Sequence, residues 1–226
     1  MRIYVDFETA LDEIKRDLAE MGITVHPQTM QDKYVGDNED YVTTELQNYV
    51  YTVIDAVKSI DQLHPSQPWA EEEFNERISC ERVNPGTAYL HREEVWDEFL
   101  HDGKFAYTYS ERIEDNVERL IREISERPDS RQLYLSIWDR CLDPRNMGGV
   151  SRVPCSLGYL FQLRRGKLHI TYFMRSCDYA THMENDIYLA TKLLEYVAKR
   201  TGYEPGNFTH FVGSLHVYRK DLKGVF

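Results

Sequence analysis

At Arg131 the apolar pattern of this chain changes period. Before it, apolar residues recur at helical spacing: Leu11, Ile14, Leu18 and Met21, then Leu46, Tyr49, Val50, Val53, Ile54 and Val57, then Val117, Leu120, Ile121 and Ile124. After it, Leu133, Leu135 and Ile137 alternate with Tyr134, Ser136 and Trp138, which is a strand period. The spacing predicts helices over 7–21, 43–60, from near Trp69 with Pro68 in its first turn, over 114–126 and over 185–200. Gly22 and Gly202 are the natural stops. Strands are predicted from Arg131, over 159–163 and 168–174 with a hairpin across Arg164-Arg165-Gly166-Lys167, and over 208–218. Residues 23–41 lack periodicity and read as an exposed loop. The expected class is α+β, helices first, then a mostly antiparallel or mixed sheet packed with helices. The 226 residues suit a single domain, 1–226.

A formal net charge of −11 makes a poor binder of nucleic-acid backbone or anionic membrane unless basic residues cluster. No apolar run approaches the roughly 18 residues of a membrane span, and Met1–Asp6 lacks the pattern of a secretory signal. Cys80, Cys141, Cys155 and Cys177 are widely spread, with no zinc spacing, so no metal is expected. Free thiols in a reducing, cytoplasmic setting are the expectation.

Three segments carry candidate chemistry. In Val153-Pro154-Cys155-Ser156 the rigid Pro fixes the position of a thiol at a strand edge. Arg140, Arg145 and Arg152 precede it, and arginines near a thiol favour the thiolate. A buried small hydrophobe is the plainer reading of a lone Cys. Arg175-Ser176-Cys177-Asp178 offers a bidentate phosphate clamp with a hydroxyl beside it, or a surface ion pair. His216 and Tyr218, two apart on a strand, share a face that can grip a hydroxyl, or form part of the core.

In this order the segments resemble the thymidylate synthase family. Asp129-Ser130-Arg131 precedes a strand ending in Ile137-Trp138, Pro154-Cys155 follows, Gly166-Lys167-Leu168 opens the next strand, Arg175-Ser176 with Asp178 ends it, and the strand of His216 and Tyr218 closes the set. Upstream, Thr87-Ala88-Tyr89-Leu90-His91, Val95-Trp96-Asp97-Glu98 and Tyr109-Ser110-Glu111-Arg112 match the family's pattern. The likeness runs from about Glu76 to Tyr218, with residues 1–65 as a divergent helical part. It implies a dimer formed through the sheet, a pyrimidine nucleoside monophosphate as substrate and 5,10-methylene-tetrahydrofolate as co-substrate. By resemblance, Cys155 is the nucleophile that adds to C6 of the base, and Arg175 and Ser176 hold the phosphate. Arg131 reaches the phosphate of the other subunit. His216 and Tyr218 hold a sugar hydroxyl, and Glu76 organises water and proton transfer. Tyr109, or Tyr107 in its place, lies near the C5 proton, Trp96 packs on the folate, and Asp178 is a folate-side carboxylate.

Departures from the family pattern point to the base. Asp186 stands where thymidylate synthases carry an Asn that reads uracil. A carboxyl group accepts from the cytosine N4 amino group and, when protonated, also donates to N3. Asp186 thus resembles the deoxycytidylate hydroxymethylase branch, although a one-residue gap would put Asn185 there instead. Ser156 replaces a His, and His182-Met183-Glu184-Asn185 replaces Gly-x-Pro-Phe, a more polar wall that suits a product formed by water attack. The family's N-terminal phosphate arginine finds no match, with Lys33 as the available stand-in, and the long closing segment after Tyr218 is shortened. The expectation is C5 hydroxymethylation of dCMP or CMP. The alternatives are thymidylate synthesis, dUMP hydroxymethylation or cytidylate C5 methylation, and a nucleotide-binding protein without catalysis.

Overall fold

The computed structural model describes residues 2–226. The chain opens with β1 (Arg2–Tyr4) and α1 (Phe7–Met21), the latter capped by the Asp6 side chain, which accepts from Thr9 N. Three short strands follow, β2 (Ile23–Val25), β3 (Thr29–Met30) and β4 (Lys33–Tyr34), and then the long β5 (Thr43–Val53). A helical stretch comes next: α2 (Trp69–Ile78), α3 (Glu93–Trp96), α4 (Tyr109–Ile113) and α5 (Asn116–Glu126). The C-terminal half holds β6 (Tyr134–Ser136), β7 (Ser156–Arg164), β8 (Lys167–Asp178), α6 (Met183–Thr201), β9 (Glu204–Tyr218) and the short α7 (Leu222–Val225).

One mixed sheet runs β1-β5-β9-β8-β7-β6, with β2 also paired to β5. β8 and β9 are parallel, as are β1 and β5; the remaining pairs in this sheet are antiparallel. The β7–β8 hairpin turns at Arg165 and Gly166, both with positive φ (54° and 77°), which is the two-residue geometry that matches strand twist. α6 ends at Gly202, whose φ of 75° accepts the left-handed cap without a Cβ clash. Phe7, Ile14 and Leu18 of α1 join Ile187, Leu194 and Val197 of α6 and Phe208 of β9 in the core. Full burial of each such side chain is worth roughly 1.5–3 kcal/mol.

The α+β expectation holds, but the N-terminal third differs from the helical part expected. Residues 43–53 form a central strand, not a helix, and 23–41 contain three short strands. Asn48 adopts φ 50° inside β5, while the antiparallel register with β9 is unbroken across it, with Gln47↔Ser214 and Tyr49↔Val212 on either side. Leu46 and Tyr51, five apart, are both buried. A strand whose buried residues do not alternate strictly then imitates a helical period, while its content of Thr, Tyr and Val favours the strand.

Candidate active site

The strand ends and the helical stretch enclose a cavity of about 410 Å³. Cys155, Glu76, Tyr109, Tyr107, Asp186, Arg175, Ser176, Asp178, Trp96, His216 and Tyr218 all line it. Arg131 does not. It is exposed, just before the edge strand β6.

Cys155 sits at the start of β7, where the β8 backbone holds it: Arg175 N donates to Cys155 O at 2.9 Å. The Arg175 guanidinium also donates to the carbonyls of Pro154 (3.0 Å) and Val153 (3.1 Å), and its Nη2 lies 3.8 Å from Cys155 Sγ. Gln31 Nε2 approaches the same sulfur at 3.9 Å. Gly213 of β9 permits this packing, since a Cβ there would lie 2.8 Å from Arg175 O. Burial pushes the Cys155 thiol up, and the downward pull of Arg175 and Arg152 does not offset it. This corrects the expectation of a thiolate favoured by the preceding arginines. Arg140 and Arg145 are exposed and do not line the cavity.

α6 places two neighbouring residues differently. Asn185 is buried, its Oδ1 accepting from Ser66 N (2.7 Å) and its Nδ2 donating to Thr181 O (3.2 Å). Its amide is thus engaged by backbone. Asp186 has no such partner; Cys177 Sγ lies 4.0 Å from its Oδ2. Burial pushes the Asp186 carboxyl up to about 7, against the lowering effect of Arg77 and Arg92. At neutral pH this group is therefore poised between acid and carboxylate.

The opposite wall comes from α2 and α4. Glu76 Oε1 accepts from the backbone of Thr87 (2.7 Å) and Ala88 (2.9 Å), which ties the carboxylate to the loop at Gly86. Glu73, one turn earlier, pairs with Arg77 at 2.8 Å, and the Arg77 guanidinium lies 3.9 Å from the Tyr109 ring centre. The Tyr109 hydroxyl contacts Ser156 Oγ at 3.1 Å, and Ser156 Oγ also contacts the Tyr172 hydroxyl. Burial holds the Tyr109 phenol well above its ordinary value, so it is a neutral hydroxyl. On β9, His216 and Tyr218 meet edge to face at 5.0 Å, and Asp178 pairs in register with His216. Burial raises Asp178 and lowers His216, while each favours the charged form of the other.

Glu73, Arg77 and Gln31 also line the cavity and were absent from the expected set; Arg152, which was read only as a neighbour of the thiol, lines it too. The i,i+4 spacing of Glu73 and Arg77 was a visible signal of a pair, though not of its place. Lys33, the stand-in for a phosphate cation, is instead bound to Glu98.

The sequence profile of the thymidylate synthase family matches residues 50–225. This chain belongs to that family. The chain is 37% identical over 123 residues to a putative thymidylate synthase of Methanosarcina acetivorans, covering 52% of this chain and 55% of the relative. A thymidylate synthase of Oenococcus oeni is 35% identical over 108 residues, 48% of this chain and 33% of the relative. The matched part thus spans about half, or less, of these relatives. Among solved structures, the thermostable thymidylate synthase A from Bacillus subtilis superposes with a TM-score of 0.74 at 18% identity, over 97% of this chain and 82% of that one. At that identity the likeness speaks for the fold. Among the described residues no helix is long and apolar enough to cross a membrane.

Proposed function

We propose that this chain is a pyrimidine nucleotide C5 one-carbon transferase whose base is cytosine and whose product is the 5-hydroxymethyl nucleotide. The observation that carries the choice of base is the pair at the start of α6: both residues line the cavity, but the Asn185 amide is engaged by backbone at Ser66 and Thr181, whereas the Asp186 carboxyl meets Cys177 Sγ at 4.0 Å. A carboxyl near pH 7 shares a proton with cytosine N3 while its other oxygen accepts from the N4 amino group. Uracil offers O4, a much weaker base, at the position of N4 and a donor at N3. Proton donation to N3 also withdraws electrons from the ring and makes C6 a better target for sulfur.

Cys155 Sγ forms a bond to C6, which places a nucleophilic carbon at C5. Arg175 and Arg152 supply positive field for the thiolate as it forms. Methylene-tetrahydrofolate supplies the one-carbon unit at the oxidation level of formaldehyde. The residues present fit such a planar heterocycle: Trp96 offers a ring face and a buried indole N–H without a partner, and Asp178 offers a carboxyl group. Neutral Tyr109, fixed by Ser156 and Arg77, orients the acceptor of the C5 proton rather than taking the proton itself. Loss of the C5 proton and of tetrahydrofolate, as the carbon–nitrogen bond to the folate breaks, would leave a methylene group on C5; water would add to it and the sulfur would leave C6. Arg175 and Ser176 hold the phosphate, and His216 with Tyr218 the sugar hydroxyl. Arg131, exposed beside an edge strand, completes the phosphate site of a second subunit in a homodimer.

A second reading, dUMP methylation, has one observation in its favour: protonated Asp186 presents the same donor and acceptor as an Asn. The relatives' name, thymidylate synthase, agrees with it. Mass analysis of the products from dCMP, CMP and dUMP decides. A gain of CH2O on a cytosine nucleotide supports hydroxymethylation, and a gain of CH2 on dUMP alone refutes it. Absence of C5 tritium release from any of the three nucleotides would leave a binding protein.

A further inference from the structure

Beyond its distant field on Cys155, Arg152 has no role in the chemistry above, yet it is among the most buried charges of the chain, with 6% exposure. Its guanidinium carbon lies 4.8 Å from the ring centre of Trp96, 4.9 Å from Phe99, 5.3 Å from Tyr107 and 5.7 Å from Phe105. Its Nε is buried without a hydrogen-bond partner, and the side chain makes no ion pair among the described residues. Lys220, also on the cavity wall, lies over the Tyr41 and Tyr218 rings, but the two arginines that share the wall with Arg152 differ. Arg77 is bound to Glu73, and Arg175 donates to two backbone carbonyls.

An aromatic cage holds a cation by its faces and leaves the N–H edge free. It does not replace the hydrogen bonds that a guanidinium loses on leaving water. His182, which packs against Trp96 at 5.9 Å, is kept neutral by burial and by Arg92 and Arg152, so it brings no negative charge. The remaining source of compensation is a ligand in the cavity that Arg152 lines. We propose that Arg152 is an oxyanion receptor, its free guanidinium edge taking a carboxylate or phosphate oxygen of a ligand seated beside Trp96. Two groups of the reactants have that chemistry, the nucleotide phosphate and a carboxylate of the one-carbon donor. The identity of the ligand rests on the functional reading above; the anion site itself does not.

Calorimetric binding of two ligand pairs separates the sources: dCMP against deoxycytidine, and tetrahydrofolate against 6-methyltetrahydropterin. Arg152→Met should weaken the anion-bearing member of one pair by about tenfold or more and leave its anion-free member nearly unchanged. Arg152→Lys, which keeps the charge, should recover part of the loss and serves in its place if the Met variant folds poorly. Equal weakening of both members of each pair, or of neither, overturns the proposal. If the wild type binds none of the four, the functional reading falls. The anion site is then decided by thermal shift with inorganic phosphate and with acetate. A shift larger in wild type than in Arg152→Met supports it, and equal shifts overturn it.

Discussion

Asp186→Asn tests the physics of the base site without any substrate. The wild-type carboxyl is carried from 3.8 to about 7 by burial, so the folded protein holds a proton that the unfolded chain releases over that range. The sign follows from linkage: stability relative to the amide is greatest below about pH 4 and is lost as pH rises through about 7. For an acid moved from 3.8 to about 7, the loss is about 1.7 kcal/mol by pH 5 and about 4 kcal/mol by pH 8. The carboxyl faces a cavity that admits water, which screens part of the effect. A differential fall of about 1 to 2.5 kcal/mol between pH 5 and 8 is therefore expected.

Urea unfolding of the wild type and Asp186→Asn at pH 5, 6, 7 and 8 gives the two stability profiles, and their difference isolates residue 186. His182, pushed down to about 4, and His210, pushed down to about 3, gain stability as pH rises, with the opposite sign. They are common to both proteins and cancel in the difference. Profiles that stay parallel from pH 5 to 8 would show that the carboxyl is solvated and ordinary, and the argument for its choice of base would go with it. The same variant should move the dCMP/dUMP activity ratio towards dUMP.

Cys155→Ala should abolish tritium release from C5-labelled nucleotide while calorimetric nucleotide binding survives. Because burial raises the Cys155 thiol, its alkylation by iodoacetamide in the free protein should be slow at pH 7 and still climbing at pH 9, followed by mass spectrometry of the labelled peptide. Mixing inactive Cys155→Ala and Arg131→Ala proteins under subunit exchange should restore about a quarter of the wild-type activity, since half the dimers are mixed and each holds one complete site; no recovery would remove Arg131 from the partner's site. Gly86→Ala should lower the urea midpoint by the equivalent of roughly 1–3 kcal/mol, because φ is 81° and the new Cβ would meet a Glu76 carboxylate oxygen at 2.3 Å.

Legibility in the sequence followed the range of the signal. The β7–β8 hairpin, α6 and β9 could be read because period, turn residues and caps lie within each segment. The two-residue strands β3 and β4 carry no period at all, and β5 was hidden because its buried residues, Leu46 and Tyr51 among them, do not alternate strictly. The candidate site was legible as an ordered set of residue types: the residues expected from the resemblance line the cavity, apart from Arg131 and the stand-in Lys33.

What the order of residues could not carry was their electrostatic state. Arginines near Cys155 suggested a thiolate, but a charge in water and a charge at a cavity wall are different quantities, and burial decides the sign. The same burial brings Asp186 to about 7, where it serves as donor and acceptor at once. Sequence spacing placed Asp186 in the base position, and a gap of one residue would have placed Asn185 there instead. The amide of Asn185 is engaged by a backbone N–H at Ser66, 119 residues away, and by the carbonyl of Thr181. A contact of that length has no local signature. Both side chains line the cavity, but this contact engages the amide with backbone, so the proposed choice of base depends in part on the segment just before α2.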